Sequence, residues 1–240
     1  MEMGNAYPVN IKGELTIPPA RGWWLIKWLL AIPHYICLFF LWIAFIVVCV
    51  IAFFAILFTG KYPKDLFKFN AGVLRWTWRV AFYSYGALAT DKYPPFSLDP
   101  DPNYPADLEI PYPEKLSKGL VLVKWWLLAI PHYIIVSFLV GGWQGWHWNA
   151  TAGNWKWPGD TWDWHIGDRV WHVSNAQHAG GGGTGLIFVL AIFAGIYLLF
   201  AGRYPKNLFK LIMGFNRWAL RVVAYASLMT DAYPPFRLDD

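Results

Sequence analysis

The sequence predicts an all-α membrane protein. Its unit is a transmembrane helical hairpin followed by an amphipathic interfacial helix, present as a tandem repeat with short β segments at the membrane surface and a Trp-rich β-hairpin insert in the second copy. Three observations predict this. Apolar residues make up 57% of the 240 positions and aromatic ones 20%, against 15% charged, a balance that fits a polytopic membrane protein better than a soluble domain. An apolar run from Trp23 to Phe58 is long enough to cross a bilayer. That run occurs twice, and the second copy is split.

The repeat is read directly. Trp28 to Tyr35 (Trp-Leu-Leu-Ala-Ile-Pro-His-Tyr) recurs as Trp126 to Tyr133, an offset of 98. Gly60-Lys61-Tyr62-Pro63-Lys64 returns as Gly202-Arg203-Tyr204-Pro205-Lys206, and Arg75-Trp76 with Arg79 returns as Arg217-Trp218 with Arg221, at an offset of 142. Thr90-Asp91 and Tyr93-Pro94-Pro95-Phe96 close the unit, matched by Thr230-Asp231 and Tyr233-Pro234-Pro235-Phe236. The rise from 98 to 142 means that copy two carries 44 extra residues. The repeats divide the chain into residues 1–100 and 101–240, with the insert at 141–185.

The insert suggests where the apolar run reverses. One 36-residue helix would be about 54 Å long, against a hydrocarbon core of roughly 30 Å. Forty-four residues rich in Gly, Asn and Asp cannot sit mid-bilayer, where their backbone groups would lack partners. The join is therefore expected at a water-facing turn near 41–44 in copy one and 141–185 in copy two. Each copy then has two spans, Trp23–Trp42 and Ala44–Phe58, equivalent to Leu120–Gly141 and Leu186–Ala201.

In chain order, Tyr7 to Leu15 alternates apolar and polar residues as a short strand does, and Pro18-Pro19 ends it. No apolar signal-peptide core precedes the first helix. That helix opens with Arg21, Lys27 and an aromatic belt of Trp23, Trp24 and Trp28, and Pro33 predicts a kink beside His34. The next stretch is uncharged Val, Ile, Phe and Ala. Cys37 and Cys49 fall inside apolar helices and read as packing residues.

The segment Lys64–Leu88 differs. Lys68, Arg75 and Arg79 share one helical face and Phe67, Leu74, Trp78 and Phe82 another. A crossing that carries two arginines is costly. It would also place the two basic loops on opposite sides of the membrane, against the positive-inside rule. The segment is expected in the cytoplasmic interface as an amphipathic anchor, giving four spans in a bacterial cytoplasmic membrane. The Pro- and Asp-rich linker contains Leu108-Glu109-Ile110, the counterpart of the first strand, and such segments on one side can pair into a small sheet capping the bundle.

The insert holds eight of the seventeen tryptophans and four of the six histidines. Thr161 to Val173 fits a hairpin with a Gly167-Asp168 turn, in which Trp164 faces Trp171 and Asp163 faces His172. Trp162, Trp164 and Trp171 are its candidate partner-binding residues. His147, His165, His172 and His178 show no recurring metal-ligand spacing, and Asn149-Ala150-Thr151 fits a glycosylation sequon.

His34 and His132 are the candidate cofactor-binding residues, since equivalent imidazoles inside apolar helices can ligate haem or a chlorin magnesium. The plainer account is a histidine bonded near a proline kink. Lys61, Lys64, Lys68, Arg75 and Arg79 face one acid, Asp65, and their counterparts Arg203, Lys206, Lys210, Arg217 and Arg221 face none. They are candidates for anionic lipid headgroups, at about 1 kcal/mol each; topology alone uses the same physics. Nucleic-acid binding is not expected despite a net charge of +5, because the positive charge lies against apolar helices. No nucleotide-binding glycine loop, nucleophile elbow or zinc-protease helix is present, so an enzyme is not expected.

Taken together, Lys-Trp-Leu-Leu-Ala-Ile-Pro-His-Tyr, the Phe-Thr-Gly-Lys-Tyr-Pro loop, Arg-Trp-x-x-Arg and Asp-x-Tyr-Pro-Pro-Phe-x-Leu resemble a bacterial membrane family, common in actinobacteria, known as domain of unknown function 4389. The resemblance covers both units and leaves out the insert. It implies an integral membrane protein with tandem domains and brings no activity, cofactor or catalytic residue. The expected function is a non-enzymatic accessory or scaffold subunit of a larger membrane complex. The alternatives are a haem-, pigment- or lipid-binding protein and a small transporter or channel.

Overall fold

The computed structural model describes residues 7–15, 19–141, 161–166, 169–174 and 185–239. In order these form β1 (Asn10–Gly13), α1 (Trp24–Thr59), α2 (Lys64–Tyr83), β2 (Ala106–Glu109), α3 (Lys118–Val123), a π-helical segment (Lys124–Leu128), α4 (Ile130–Val140), β3 (Thr161–Ile166), β4 (Arg169–Ser174), α5 (Leu186–Ala201) and α6 (Lys206–Ala226). The chain is mostly helical.

The reversal expected near residues 41 to 44 is not there. α1 is one continuous helix of 36 residues. From Ile36 to Phe58 it has neither glycine nor proline to break it, and Pro33 is accommodated inside it. It ends at Gly60, whose φ of 73° supplies the left-handed cap that a residue with a side chain resists; Gly202 repeats this after α5 with φ 67°.

Copy two follows the same plan in pieces. Its helix runs antiparallel to α1 along its whole course. Lys118 Nζ donates to the Phe58 carbonyl at 2.6 Å, Trp125 and Tyr133 face the Phe45–Phe54 stretch of α1, Phe188 lies beside Tyr35 and Phe39, and the Trp24 ring packs on Gly195. α5 therefore continues in the direction of α4. Gly185 lies against the main chain of Val140 and Gly141 so closely that a Cβ there would clash, which puts both ends of the insert at one point of the helix. The turn is expected from the length of the run and from a polar insert that cannot sit mid-bilayer; a helix that runs straight past the insert meets the second condition when that point lies away from mid-bilayer depth.

The break in copy two has a sequence cause. Lys27 and His34 are seven residues apart, whereas Lys124 and His132 are eight apart, because Trp125-Trp126 stands where copy one has Trp28 alone. One extra residue in a helix is absorbed as a π-bulge, and the π segment at Lys124–Leu128 does this, with a 47° bend to α4 ahead of Pro131. The carbonyl of Trp125 is taken by the Tyr133 hydroxyl at 2.6 Å. Deleting Trp125 is therefore expected to restore a regular helix and to change unfolding free energy in detergent by no more than about 1 kcal/mol. Deleting Leu29 from α1 would turn Lys27 by about 100° away from its partners and abolish cooperative melting. Circular dichroism melts of the two variants decide.

The molecule is layered. The residues of α1 that are buried, Lys27, Ala31, His34, Leu38, Phe45, Val48, Ala52 and Ile56, recur at spacings of three, four and seven and form one face, which packs on α2. α2 is buried nearly all round from Asn70 to Tyr83. Toward α1 it offers Trp76 and Thr77, the latter accepting from Trp42 Nε1 at 3.2 Å. Its opposite side offers Arg75 and Trp78, which donate to the Leu108 and Lys12 carbonyls at 3.0 and 2.8 Å. Gly72 lets the chain that returns from α2 cross at Leu98 in close contact, as Gly214 does for Leu238.

The expected small sheet is present: β1 and β2 pair antiparallel, with Ile11 opposite Leu108. These are equivalent residues of the two copies, so an approximate twofold axis passes between them. The strands are exchanged across it, since Arg75 of copy one holds β2 while Arg217 of copy two donates to the Ile11 carbonyl of β1. The two sequence repeats thus form one intertwined body. The hairpin β3–β4 has the expected backbone register, Asp163 opposite His172 and Trp164 opposite Trp171; its turn residues, His147, His178 and the sequon lie outside the described residues.

Among the described residues α1 alone is a single helix long and apolar enough to cross a membrane, and only 17% of its most apolar stretch is buried, where a soluble core helix would be mostly buried. The segment expected as an amphipathic surface anchor is corrected: α2 is a core helix. Its arginine face is covered by β2 and the return segment rather than by lipid headgroups: the Leu98, Leu108 and Asp99 carbonyls and Asp107 take N–H groups of Arg75 and Arg79.

Candidate functional site

Each copy encloses one buried lysine and one buried histidine on the inner face of its long helix. Lys27 is fully buried, and its Nζ meets Asp91 Oδ1 at 2.8 Å and the Thr90 carbonyl at 2.7 Å, over the Tyr83 ring at 5.2 Å. The other Asp91 oxygen accepts the Ala20 backbone N–H at 2.5 Å. Copy two repeats every contact: Lys124 to Asp231 at 2.7 Å, to the Thr230 carbonyl at 3.0 Å, over Tyr225 at 5.6 Å, with the Ser117 N–H on Asp231 at 2.6 Å. The Thr-Asp motif thus clasps the start of the long helix after the chain has run out and back.

Two turns further on, His34 is boxed by aromatic rings. Phe96 stacks on it at 4.0 Å, Tyr93 leans at 4.8 Å, and Trp76 Nε1 donates to Nδ1 at 3.1 Å. His132 has the same box, with Phe236 at 4.4 Å, Tyr233 at 4.9 Å and Trp218 Nε1 at 3.2 Å from Nδ1. Both rings are fully buried. Indole nitrogen is a donor only, so Nδ1 must accept, and the proton of the neutral ring sits on Nε2. Nε2 is buried without a hydrogen-bond partner among the described residues in both copies.

This bears on the expected cofactor. The two histidines are not brought together: each box is built from its own copy's residues. An imidazole protonated at Nε2, with Nδ1 already used, has no free lone pair for iron or magnesium, and the stacked phenylalanine covers one of its faces. The residues present do not fit an axial ligand for haem or chlorin. Among the described residues no group of three or more His, Cys, Asp or Glu could hold a metal ion.

The lipid-headgroup candidates separate into two kinds. Lys61, Lys64, Lys68, Arg203, Lys206 and Lys210 are exposed. Arg75 and Arg79 are internal, bonded to the Leu98, Leu108 and Asp99 carbonyls and to Asp107 at 3.1 and 3.3 Å. Arg217 and Arg221 are their counterparts, the latter donating to the Asp239 carbonyl at 2.9 Å and lying over Tyr7. Burial pushes the Tyr7 and Tyr104 hydroxyls well above the usual tyrosine range, against the opposing pull of Arg221 and Arg79, so both stay neutral donors. Trp162, Trp164 and Trp171 fall on β3 and β4.

Lys27, Lys124, Asp91 and Asp231 carry no role in the motif reading, although the signal was available. The Thr-Asp pair recurs without change in both copies, and Lys27 and Lys124 stand at equivalent places ahead of the repeated Trp-Leu-Leu-Ala-Ile-Pro-His-Tyr. Trp76, Phe96 and their counterparts likewise recur, but only the fold puts them on the histidines.

Two apolar crevices lie between the long helices. One, about 550 Å³, is lined by Phe45, Cys49, Phe53, Trp125, Tyr133 and Val222 among others. The second, about 530 Å³, includes Tyr35, Leu38, Val80, Ala81 and Phe188. Tyr35 and Tyr133, and Val80 and Val222, are equivalent positions, so the crevices are one feature duplicated by the twofold. On the polar side Lys12, Asp91, Lys92, Asp101 and Asp107 border a cleft of about 630 Å³.

No curated protein and no solved structure matches the chain. A family model does, over residues 22–97 and 183–237. These segments hold the whole first lysine and histidine boxes and, from the second, the Trp218, Asp231, Tyr233 and Phe236 side. With more than half of its length matched and its internal contacts carried by those segments, the chain belongs to the family described as a domain of unknown function, DUF4389.

Proposed function

We propose that the chain is a membrane-embedded, non-enzymatic accessory or scaffold subunit of a larger bacterial membrane complex. The observation that carries the membrane part is the outer face of the long helices. Large apolar side chains stand open along all of α1, from Trp23 through Phe40, 64% exposed, to Phe58, and along the second helix to Phe200, 81% exposed. A contiguous apolar surface of this length has no stable existence in water and marks contact with lipid or partner. Support for a structural role comes from the buried ionisable groups, which are consumed in pairs and boxes that tie the helices together. The exposed lysines and Arg203 suit anionic headgroups at the rim, and the insert's eight tryptophans are of the residue type that anchors partners.

The test is purification at native abundance in mild detergent, followed by native electrophoresis and mass spectrometry of the band. A species larger than the chain, with stoichiometric other subunits, is expected; a chain that migrates alone sinks the accessory role. A second reading, lipid carriage, is favoured by the duplicated crevices. For it, native mass spectrometry would show one or two retained lipids that survive detergent exchange.

A further inference from the structure

The geometry points to an orientation: both long helices lie flat in one leaflet, with the approximate twofold axis along the membrane normal and the polar layer in water. This rests on the proposed membrane embedding and goes beyond it, because that embedding is equally met by upright helices.

Three observations separate the two. The first is where charge sits. β1 and β2, with Lys12, Asp107 and Glu109, pack on the far side of α2 from α1. Arg75, which holds β2, is two residues from Thr77, which bonds Trp42, and Trp42 is at the middle of the 36-residue α1. Were α1 upright, the charged ribbon would stand level with the bilayer midplane and beside lipid, at a cost of several kcal/mol per charge. With α1 flat, the ribbon lies on the side of α2 away from the hydrocarbon.

The second observation is the insert. Its two ends meet at Gly141 and Gly185, and both positions correspond to Ile43, again the middle of the long helix. An upright helix would eject forty-four residues, polar backbone included, into the centre of the bilayer, where nothing satisfies them. A flat helix keeps that point at interfacial depth, in reach of water.

The third is the pair of basic loops. Because the long helices are antiparallel, Lys61 and Lys64 stand at one end and Arg203 and Lys206 at the other. Upright, they would occupy opposite sides of the membrane, against the positive-inside preference. Flat, they share one side and one depth, and Lys61, Lys64, Lys68, Arg203, Lys206 and Lys210 reach the headgroups of a single leaflet. The length of about 54 Å, well beyond a core of roughly 30 Å, then needs neither protrusion nor tilt. A helix with one wide apolar face embedded to about 5–10 Å is a familiar interfacial element.

The occupant of the apolar face is thus one lipid leaflet. The test uses the full chain with Cys37→Ala and Cys49→Ala, in sealed vesicles of known sidedness containing anionic phospholipid. Single Lys64→Cys and Lys206→Cys variants are challenged with a membrane-impermeant maleimide; both should label from the same side. Separately, spin labels at Phe40, Val47 and Phe54 are read for depth by oxygen and nickel accessibility. Equal depths are expected, whereas an upright α1 spreads the first and last by roughly 21 Å along the normal. Labelling from opposite sides, or a graded depth, overturns the orientation while leaving membrane embedding intact. A chain that stays in solution as a dimer with the apolar faces joined, and does not partition into vesicles, removes both.

Discussion

Replacing Asp91 with alanine is expected to cost about 3–5 kcal/mol of stability, and replacing Lys27 with methionine distinctly less, although the two changes remove the same ion pair. The asymmetry follows from burial. Lys27 is fully enclosed, so when Asp91 is lost its ammonium keeps only the Thr90 carbonyl and the Tyr83 ring and cannot reach water. The Asp91 side chain is 32% exposed. When Lys27 is lost, the carboxylate still accepts the Ala20 N–H and can be hydrated. Methionine fills the lysine stem's volume without a charge. The double variant, Lys27→Met with Asp91→Asn, leaves no stranded charge and keeps an acceptor for Ala20, so it should recover most of the loss. Urea or thermal unfolding in detergent, followed by circular dichroism, measures this. Equal losses in the two single variants, or a double variant as weak as Asp91→Ala, would show that a stranded ammonium is not the cause. Asp231→Ala should reproduce the effect through Lys124, and the two aspartate losses should add, since the boxes share no side chain.

How far the fold was legible depends on the kind of signal. Identity between two copies is independent of orientation, so the repeat, its helical character, the pairing of its leading strands and the register of the Trp-rich hairpin could all be read from residues. The reversal near 41 to 44 could not, because bilayer thickness and the polarity of the insert imply a turn only for a helix that crosses upright. The interfacial placement of α2 rests on the cost of two arginines in a crossing and on the positive-inside rule, neither of which registers a helix enclosed by protein. Seven- and four-residue spacing of Lys68, Arg75 and Arg79 gives one face, but spacing says nothing about what covers that face, and here it is the main chain of β2 and the return segment. The π-bulge shows the opposite case. Its cause, one extra tryptophan between Lys124 and His132, is visible in the sequence as a shift of the offset from 97 to 98, and it becomes meaningful only because both Lys124 and His132 must keep partners fixed in α6 and the Thr-Asp segment.

Removing residues 142–185, so that Gly141 is followed directly by Leu186, is expected to leave a folded and more stable protein. Both Gly141 and Gly185 align with Ile43, so the shortened chain has the register of α1, where Trp42, Ile43 and Ala44 run on without a break. Gly185 already touches the main chain of Val140 and Gly141, so the ends to be joined are in contact before the cut. Chain-entropy scaling puts the cost of closing a 44-residue connection at roughly 3 kcal/mol, and the deletion returns that cost. A further Gly141→Ile change should add a few tenths of a kcal/mol to about 1 kcal/mol by removing a glycine from what becomes a helix interior. The expected readings are a higher melting temperature and undiminished helical signal per residue. If the insert carries the partner surface, native electrophoresis of the shortened chain should show the complex gone while the fold persists. The deletion is also a sharp test of topology. Were α4 and α5 an antiparallel pair, removal of all 44 residues would leave no turn to connect them, and the variant would aggregate or lose cooperative unfolding. A soluble, cooperative, hotter-melting variant requires instead that the two helices share one axis and one direction.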